Sequence, residues 1–510
     1  MSDKILPRPP RWRHAALATI AGAALAACAV GPNFQSPAAP AVADASHPYT
    51  AAPLPAQTAS APGAAGVPQA FVAGQDIPAD WWAIFGSPAL DALVRAALEH
   101  NPTMAAAQAS LREAQENYEA DAGAKLYPSV NGEFQAQRQR SALGQPGQPA
   151  GTTYNVFNAS VDVSYTVDLF GANKRELEGL AAQVDYQRFQ VEAAYLSLSA
   201  NVVATAIQEA SLRAQLKATR DVVDAESRSL GVISKQVELG ALARSAVLQQ
   251  RTLVAQTQAQ LPALEKALAQ TRHQLAVLAG RLPGDAGLPA FELESLRLAG
   301  SLPLSLPSAL LRQRPDVRAS EALLHAASAQ IGVATAAQYP QITLSGSVNR
   351  ESLKLDKLFS TGTTGWTLAG GVLEPIFNAG ALRSKKHAAE AAYDAAQAQY
   401  QQTVLNAFLA VANALRAIDT DADALRAQSE AESLAKQSLD LVTRQYQLGA
   451  VSYLASLDSQ RTWLQTRVAL AQAQAARYAD TAALYQALGG GWWNAPGAVA
   501  SLGAASAPVN

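Results

Sequence analysis

The sequence predicts a mainly α protein with a smaller β part: tandem-duplicated long antiparallel helices forming an α-helical tunnel, plus four strands per chain that close a 12-stranded barrel as a trimer. Three observations predict it. Landmark residues recur at a nearly constant offset, two very long stretches lack both Gly and Pro, and four segments alternate apolar with polar residues.

The duplication sets the frame. Asn101-Pro102 answers Arg314-Pro315, Tyr127-Pro128 answers Tyr339-Pro340, Leu239-Gly240 answers Leu448-Gly449, and Gly280 answers Gly489. Each pair is about 210 residues apart, as two copies of one structural unit require. The first repeat is placed at 81–300 and the second at 301–492. Each reads as helix, two strands, a very long helix and a returning helix.

Ahead of the repeats lies an export signal. Lys4, Arg8, Arg11 and Arg13 precede an apolar run from Ala15 to Ala27, too short for a bilayer span of about 20 residues. Leu25-Ala26-Ala27-Cys28 resembles a bacterial lipobox, and Cys28 is the only cysteine in the chain, so no internal disulfide competes for it. Residues 1–27 are therefore read as a lipoprotein signal peptide and Cys28 as the lipidation site, the lipid being the only non-protein group expected. Ala29 stands where inner-membrane lipoproteins carry Asp, which predicts the outer membrane. Residues 28–80, rich in Pro and Ala, read as an extended linker, and 493–510 as a disordered tail.

Within the second repeat, Ala381 to Leu448 contains no Gly or Pro, enough for a helix of about 100 Å. Val404, Phe408, Val411, Leu415, Ile418, Ala422 and Leu425 alternate by four and three, the spacing of a coiled-coil seam. After Gly449 a second Gly- and Pro-free stretch returns to Leu488. The first repeat matches with Ala172 to Leu230 and Ala241 to Ala279, where Pro262 predicts a kink. The clearest strand, "NASVDVSYTVDLF", puts Ala159, Val161, Val163, Tyr165, Val167 and Leu169 on one face and Asn158, Ser160, Asp162, Ser164, Thr166 and Asp168 on the other. "QITLSGSVNR" alternates likewise, with weaker alternation in Ser129 to Arg138 and Trp366 to Val372.

With net charge −2 and only 16% charged residues, no basic surface calls for nucleic acid. After the signal no segment is apolar enough for a membrane helix, so a crossing must use β-strands. Four strands cannot close a barrel, but three chains supply twelve and enclose a water-filled lumen. That arithmetic describes a conduit, a homotrimer set in outer-membrane lipid. A lipid-anchored periplasmic coiled-coil scaffold without a pore is the alternative, in which the apolar strand faces would be buried.

The motifs "CAVGPNF", "DWWAIFGSPALDALVRAALEHNP", "VDLFGANKR", "LPSALLRQRPDVRASEALLHAASAQIG", "EPIFNAG", "RQYQLGAVSYLASLDSQ" and "LYQALGGGWW" follow one another from Cys28 to Trp492. In that order the chain resembles the TolC-like outer-membrane factors, nearest their NodT-like lipoprotein branch. The resemblance implies a trimeric channel-tunnel that is not an enzyme. It serves as passive exit duct of a tripartite efflux pump, most often of the resistance–nodulation–division class, and its tip meets a periplasmic adaptor protein joined to an inner-membrane pump. A type I secretion duct is the variant reading. Leu239, Gly240, Ala241, Leu448, Gly449 and Ala450 match the family's adaptor-contact tips. The gate it implies includes Asp458 and Tyr446. Two family acids are missing: Ala455 stands for one and Ala246 for the acid partner of the tip tyrosine. A solvated helical carboxylate is the plainer reading of Asp458.

Other chemistry is absent. The histidines at 47, 100, 273, 325 and 387 lack ligand spacing. "DTDADALRAQSE" places Asp419, Asp421, Asp423 and Glu430 like calcium-loop ligands, but Ala424 occupies the position of the required glycine. Ile418, Ala422 and Leu425 carry the heptad straight through it, so a helix face is expected. With two methionines in all, no methionine relay for copper or silver is visible.

Overall fold

The computed structural model describes residues 29–38, 49–140, 151–285, 287–305 and 307–495. In chain order these form β1 (Ala70–Ala73), α1 (Pro88–His100), α2 (Pro102–Leu126), β2 (Ser129–Arg140), β3 (Thr153–Val167), α3 (Ala172–Glu238), α4 (Arg244–Gln258), α5 (Leu261–Leu278), β4 (Ser301–Leu304), α6 (Pro307–Gln313), α7 (Pro315–Ala336), β5 (Gln341–Ser352), β6 (Thr364–Leu373), α8 (Ala381–Gln447) and α9 (Tyr453–Ala487). The order of two helices, two strands, one 67-residue helix and a return occurs twice. The chain divides into two compact units, each built from both halves of the sequence.

The first unit holds the described residues up to Pro37, Leu111–Gln187 and Ser320–Tyr400. Its sheet runs β2-β3-β5-β6, with every neighbour antiparallel. The register aligns Gly132, Val161, Val348 and Trp366 across the four strands, and likewise Val130, Val163, Gly346 and Leu368. Residues in register share a face, so the alternation read along single strands becomes one apolar face. That face is bare: Trp366 is 76% and Leu368 80% exposed. The other face carries Asn131, Glu133, Ser160, Asp162, Ser347 and Thr367. The outer edges of β2 and β6 have no strand partner among the described residues.

The second unit takes the described parts of Ala38–Ser110, Arg188–Ala319 and Gln401–Asn510. The duplicated landmarks close its helix ends. Asn101 Nδ2 donates to the Leu278 carbonyl at 2.8 Å, and Arg314, its counterpart, donates through Nη1 to the Ala487 carbonyl at 2.8 Å. Both serve the orphan carbonyls of a helix C-terminus, which have no partner within the helix itself. The core gathers Trp81 stacked on Tyr485 (centroids 5.8 Å apart) and Phe85 against Tyr478 (6.3 Å). Arg477 is fully buried there, donating to the Ile418 carbonyl at 2.7 Å and to Thr58 Oγ1 at 3.3 Å.

Four sequence expectations change. The first long helix does not stop at Leu230 but passes through Gly231 to Glu238; one helical glycine costs only about 1 kcal/mol, which packing along so long a helix outweighs. Pro262 does not kink one helix but sits at the start of a new one, α5, where its missing N–H leaves no bond unmade. The linker is not extended throughout: β1 pairs in parallel with β4, Ala70 against Ser301 through Ala73 against Leu304. Gln69 is buried, its Nε2 donating to the Ala299 carbonyl at 3.1 Å and to Thr481 Oγ1 at 3.2 Å. Ordered chain also reaches past 493, because Asn494 Nδ2 donates to the Ile77 carbonyl at 2.8 Å.

Candidate functional site

The adaptor-contact residues named from the sequence fall on two helix ends of the second unit. α3 ends at Glu238, and Gly240 turns the chain with φ 73°. Its N–H donates to the Val237 carbonyl at 3.0 Å, and the Ala241 N–H to the Gln236 carbonyl at 2.8 Å. The end of α8 repeats this: Gly449 has φ 75°, its N–H donates to Tyr446 O at 2.9 Å and that of Ala450 to Gln445 O at 2.9 Å. The six-to-one bond closing over a left-handed residue is the Schellman motif, which glycine fills without strain.

Gly280 and Gly489 close α5 and α9 with the same backbone bend, φ 71° and 99°. There a Cβ would lie 2.5 Å from the His100 carbonyl oxygen and 2.6 Å from that of Gln313. At Gly240 and Gly449 nothing lies within 4 Å. The inner pair of glycines is needed for packing, whereas the tip pair leaves backbone open to the surroundings. Leu239 and Leu448 beside them are 74% and 84% exposed, so each tip presents one apolar side chain and a bare turn.

Behind the tips lies a small apolar cluster of Ile233, Ala246 and Tyr453, with Leu242, Val247, Tyr446 and Leu457 packed on it. The Tyr446 and Tyr453 rings lie 5.6 Å apart. Tyr446 donates its hydroxyl to Gln236 Oε1 at 3.0 Å, joining α8 to α3. Tyr453 donates to Gln250 Oε1, joining α9 to α4, and Gln250 Nε2 donates to the Glu226 carbonyl at 2.9 Å. Burial pushes both tyrosine hydroxyls above their ordinary range, so they remain neutral donors. It also raises the Glu226 carboxyl, which a hydrogen bond from Thr257 at 3.2 Å only partly offsets.

Of the gate residues named from sequence, Tyr446 belongs to this cluster and Asp458 does not. Asp458 is exposed on α9; its backbone carbonyl accepts from Thr462 Oγ1 at 2.9 Å. Ala246, standing where the resemblance implies an acid, is buried against Ile233 and Tyr453, and an amide link occupies the role. Sequence reading missed Gln236 and Gln250: glutamine abounds in both repeats, and although Gln236 and Gln445 stand equally spaced before their tip glycines, that spacing does not reveal which tyrosine meets them. Cys28 lies outside the described residues. The calcium-like segment is helical, as expected, with Asp419 on Arg416 at 3.0 Å and Asp423 on Arg426 at 2.8 Å. Among the described residues no group of three or more His, Cys, Asp or Glu could hold a metal ion.

A sheet with one exposed apolar face and unpaired edges, joined to long paired helices that end in bare glycine turns, defines the protomer of an outer-membrane channel-tunnel. The chain belongs to the outer membrane efflux protein family, whose model matches residues 93–281 and 306–490. It is 32% identical over 421 residues to the pyoverdine export outer membrane protein OpmQ of Pseudomonas putida, covering 81% of this chain and 88% of that one. To the solvent efflux pump outer membrane protein SrpC of Pseudomonas putida it is 32% identical over 477 residues, 92% of this chain and 96% of that one. The solved outer-membrane channel OprN superposes with a TM-score of 0.81 at 26% identity, covering 91% of this chain and all of that one. The protein is thus an outer-membrane exit duct of efflux pumps, and the pore-less scaffold is set aside.

Proposed function

We propose that three copies of the chain close a 12-stranded barrel in the outer membrane, and that the helix tips receive a periplasmic adaptor carrying substrate from an inner-membrane pump of the resistance–nodulation–division class. The four-stranded sheet carries this reading: its apolar face is exposed while β2 and β6 each leave an edge unpaired. In hydrocarbon an unpaired edge is untenable, so edges of neighbouring copies must meet. On this reading the duct is passive and does no chemistry on its cargo, and its only attached group is the lipid on Cys28.

The methionine content favours an organic cargo over a soft metal cation. Met104 is the only methionine after the initiator, and it is buried, which leaves no row of exposed thioethers to pass such an ion. The names of the relatives cover pyoverdine export, solvent efflux and cation efflux alike, and do not by themselves choose a cargo. The test is the size of the protein extracted in mild detergent. A trimer that resists heating until the strands melt is expected; a monomer with intact strand content overturns the proposal.

A further inference from the structure

The short segment after Cys28 is seated in a built receptor within the first unit. Val30 N–H donates to the Phe170 carbonyl at 3.0 Å. The Arg175 guanidinium, buried near the start of α3, donates through Nε to Val30 O at 3.2 Å and through Nη2 to Gly31 O at 3.4 Å and Asn33 Oδ1 at 2.7 Å. Its remaining nitrogen, Nη1, bonds Glu178 Oε2 at 2.7 Å. Glu178 Oε1 holds His325 Nε2 at 2.9 Å, and the His325 ring lies stacked on Phe34, centroids 4.3 Å apart and 14° from parallel. Ser36 donates to Glu321 beyond it.

Glycine admits the backbone at each close approach. A Cβ on Gly31 would lie 2.5 Å from Gly332 Cα, one on Gly171 2.6 Å from Ala29 Cα, and one on Gly332 2.7 Å from the Arg175 side chain. Two stretches far apart in sequence, 170–178 and 325–332, are therefore shaped around six residues that have no regular secondary structure of their own. A planar five-donor guanidinium can bond two successive carbonyls, a side-chain amide and a carboxylate together, which lysine cannot. Seating of this kind exceeds what a loose tether needs.

We propose that Arg175, Glu178 and His325 form a clasp for the chain's own mature N-terminus, and that the clasp fixes where the acyl anchor leaves the protein. The clasped segment reaches back to Ala29, which packs against Gly171 at the junction of β3 and α3, so an anchor on the preceding residue is tethered from that point. The anchor thereby acts as a fixed strut at one end of the sheet rather than a float on a flexible leash. The proposal rests on acylation of Cys28, and the experiment separates the two.

Chymotrypsin cuts after aromatic residues, and Phe34 is half-buried with its ring stacked on His325, so the clasp hinders the cut that follows it. Cells are labelled with a fatty acid, the oligomer is extracted, and release of a labelled peptide ending at Phe34 is followed by mass. In the wild type the cut is slow and the label stays with the body. In Arg175→Met it is faster by roughly tenfold or more, as losing charge-assisted hydrogen bonds implies when cleavage follows the open population. Gly31→Val, which alters only the strap, gives the same release should Arg175→Met fail to assemble. Equal release from wild type and both variants overturns the clasp. A wild type that carries no label, yet shows the same protection at Phe34 lost in the variants, overturns acylation and leaves the clasp standing.

Discussion

Gly240 and Gly280 carry the same left-handed φ and end helices of the same repeat, yet only Gly280 is enclosed. Alanine in a left-handed site costs about 1–2 kcal/mol by itself. Gly240→Ala should therefore lower stability by roughly that amount, whereas Gly280→Ala must also displace the His100 carbonyl and should cost clearly more in a denaturant melt. Equal midpoints would show that crowding adds nothing at Gly280. Because the tip is open, bulk there is tolerated by the fold but not by a docking partner. Gly449→Trp should leave the oligomer assembled while cross-linking to the adaptor falls, and full cross-linking with full efflux would dismiss the tip as the contact. The tip glycines were legible in the sequence as a duplicated pair. Their openness was not, because neighbours far along the chain decide it. The links of Tyr446 to Gln236 and Tyr453 to Gln250 were equally hidden: the tyrosines answer to Val237 and Arg244 in the first repeat, while Gln236 recurs as Gln445, so the duplication marks neither pair. Removing one link, as in Gln236→Ala, should raise the conductance of the isolated channel without dissociating the oligomer. A conductance matching the wild type would deny these glutamines any hold on the width of the tip.

At the scale of elements, the long helices were legible because a 67-residue span without a breaker has few other fates. Strand alternation likewise foretold which residues would share a face. The pairing of β1 with β4 escaped notice, since two four-residue strands distant in sequence carry too little pattern to detect. Helix pairing also created a group that no single helix reveals. Asp480 on α9 faces Asp421 on α8, and burial together with that carboxyl raises its pKa to about 7, against the pull of Arg477. The unfolded value is near 3.9, so between about pH 4 and 7 the folded chain keeps a proton that the unfolded chain has lost. Stability contributed by this group therefore declines as pH rises through that window and is flat above it. Asp480→Asn should melt higher than wild type at pH 8, with the gap closing near pH 4. Some slope will persist, because burial also raises Glu192 to about 7, with Arg188 opposing. Thermal melts at both pH values decide it, and an unchanged difference between wild type and variant across the window would place the titrating proton elsewhere.

The whole molecule in its working form is the proposed trimer, and there the exposed Asp458 acquires meaning that one chain does not give it. Threefold symmetry sets three copies of this carboxylate around one axis, and acidic rings confer cation preference on pores. The polar face of the sheet also carries Glu133 and Asp162, so cation selectivity alone does not single out Asp458. Sidedness does, because in the proposed duct the helix tips, whose returning helix α9 carries Asp458, face the periplasmic solution. Multivalent cations added on the periplasmic side should block the isolated channel, and addition on the other side should block it less. Asp458→Ala should relieve the periplasmic block and let anions pass more readily, leaving any contribution of Glu133 and Asp162 in place. With Ala455 where a second acid is implied, one ring acts alone, so block should reverse readily on dilution. The measurement is single-channel conductance in a planar bilayer, with the cation titrated on each side for wild type and variant. Identical block in the two proteins would return Asp458 to an ordinary solvated charge on a helix face.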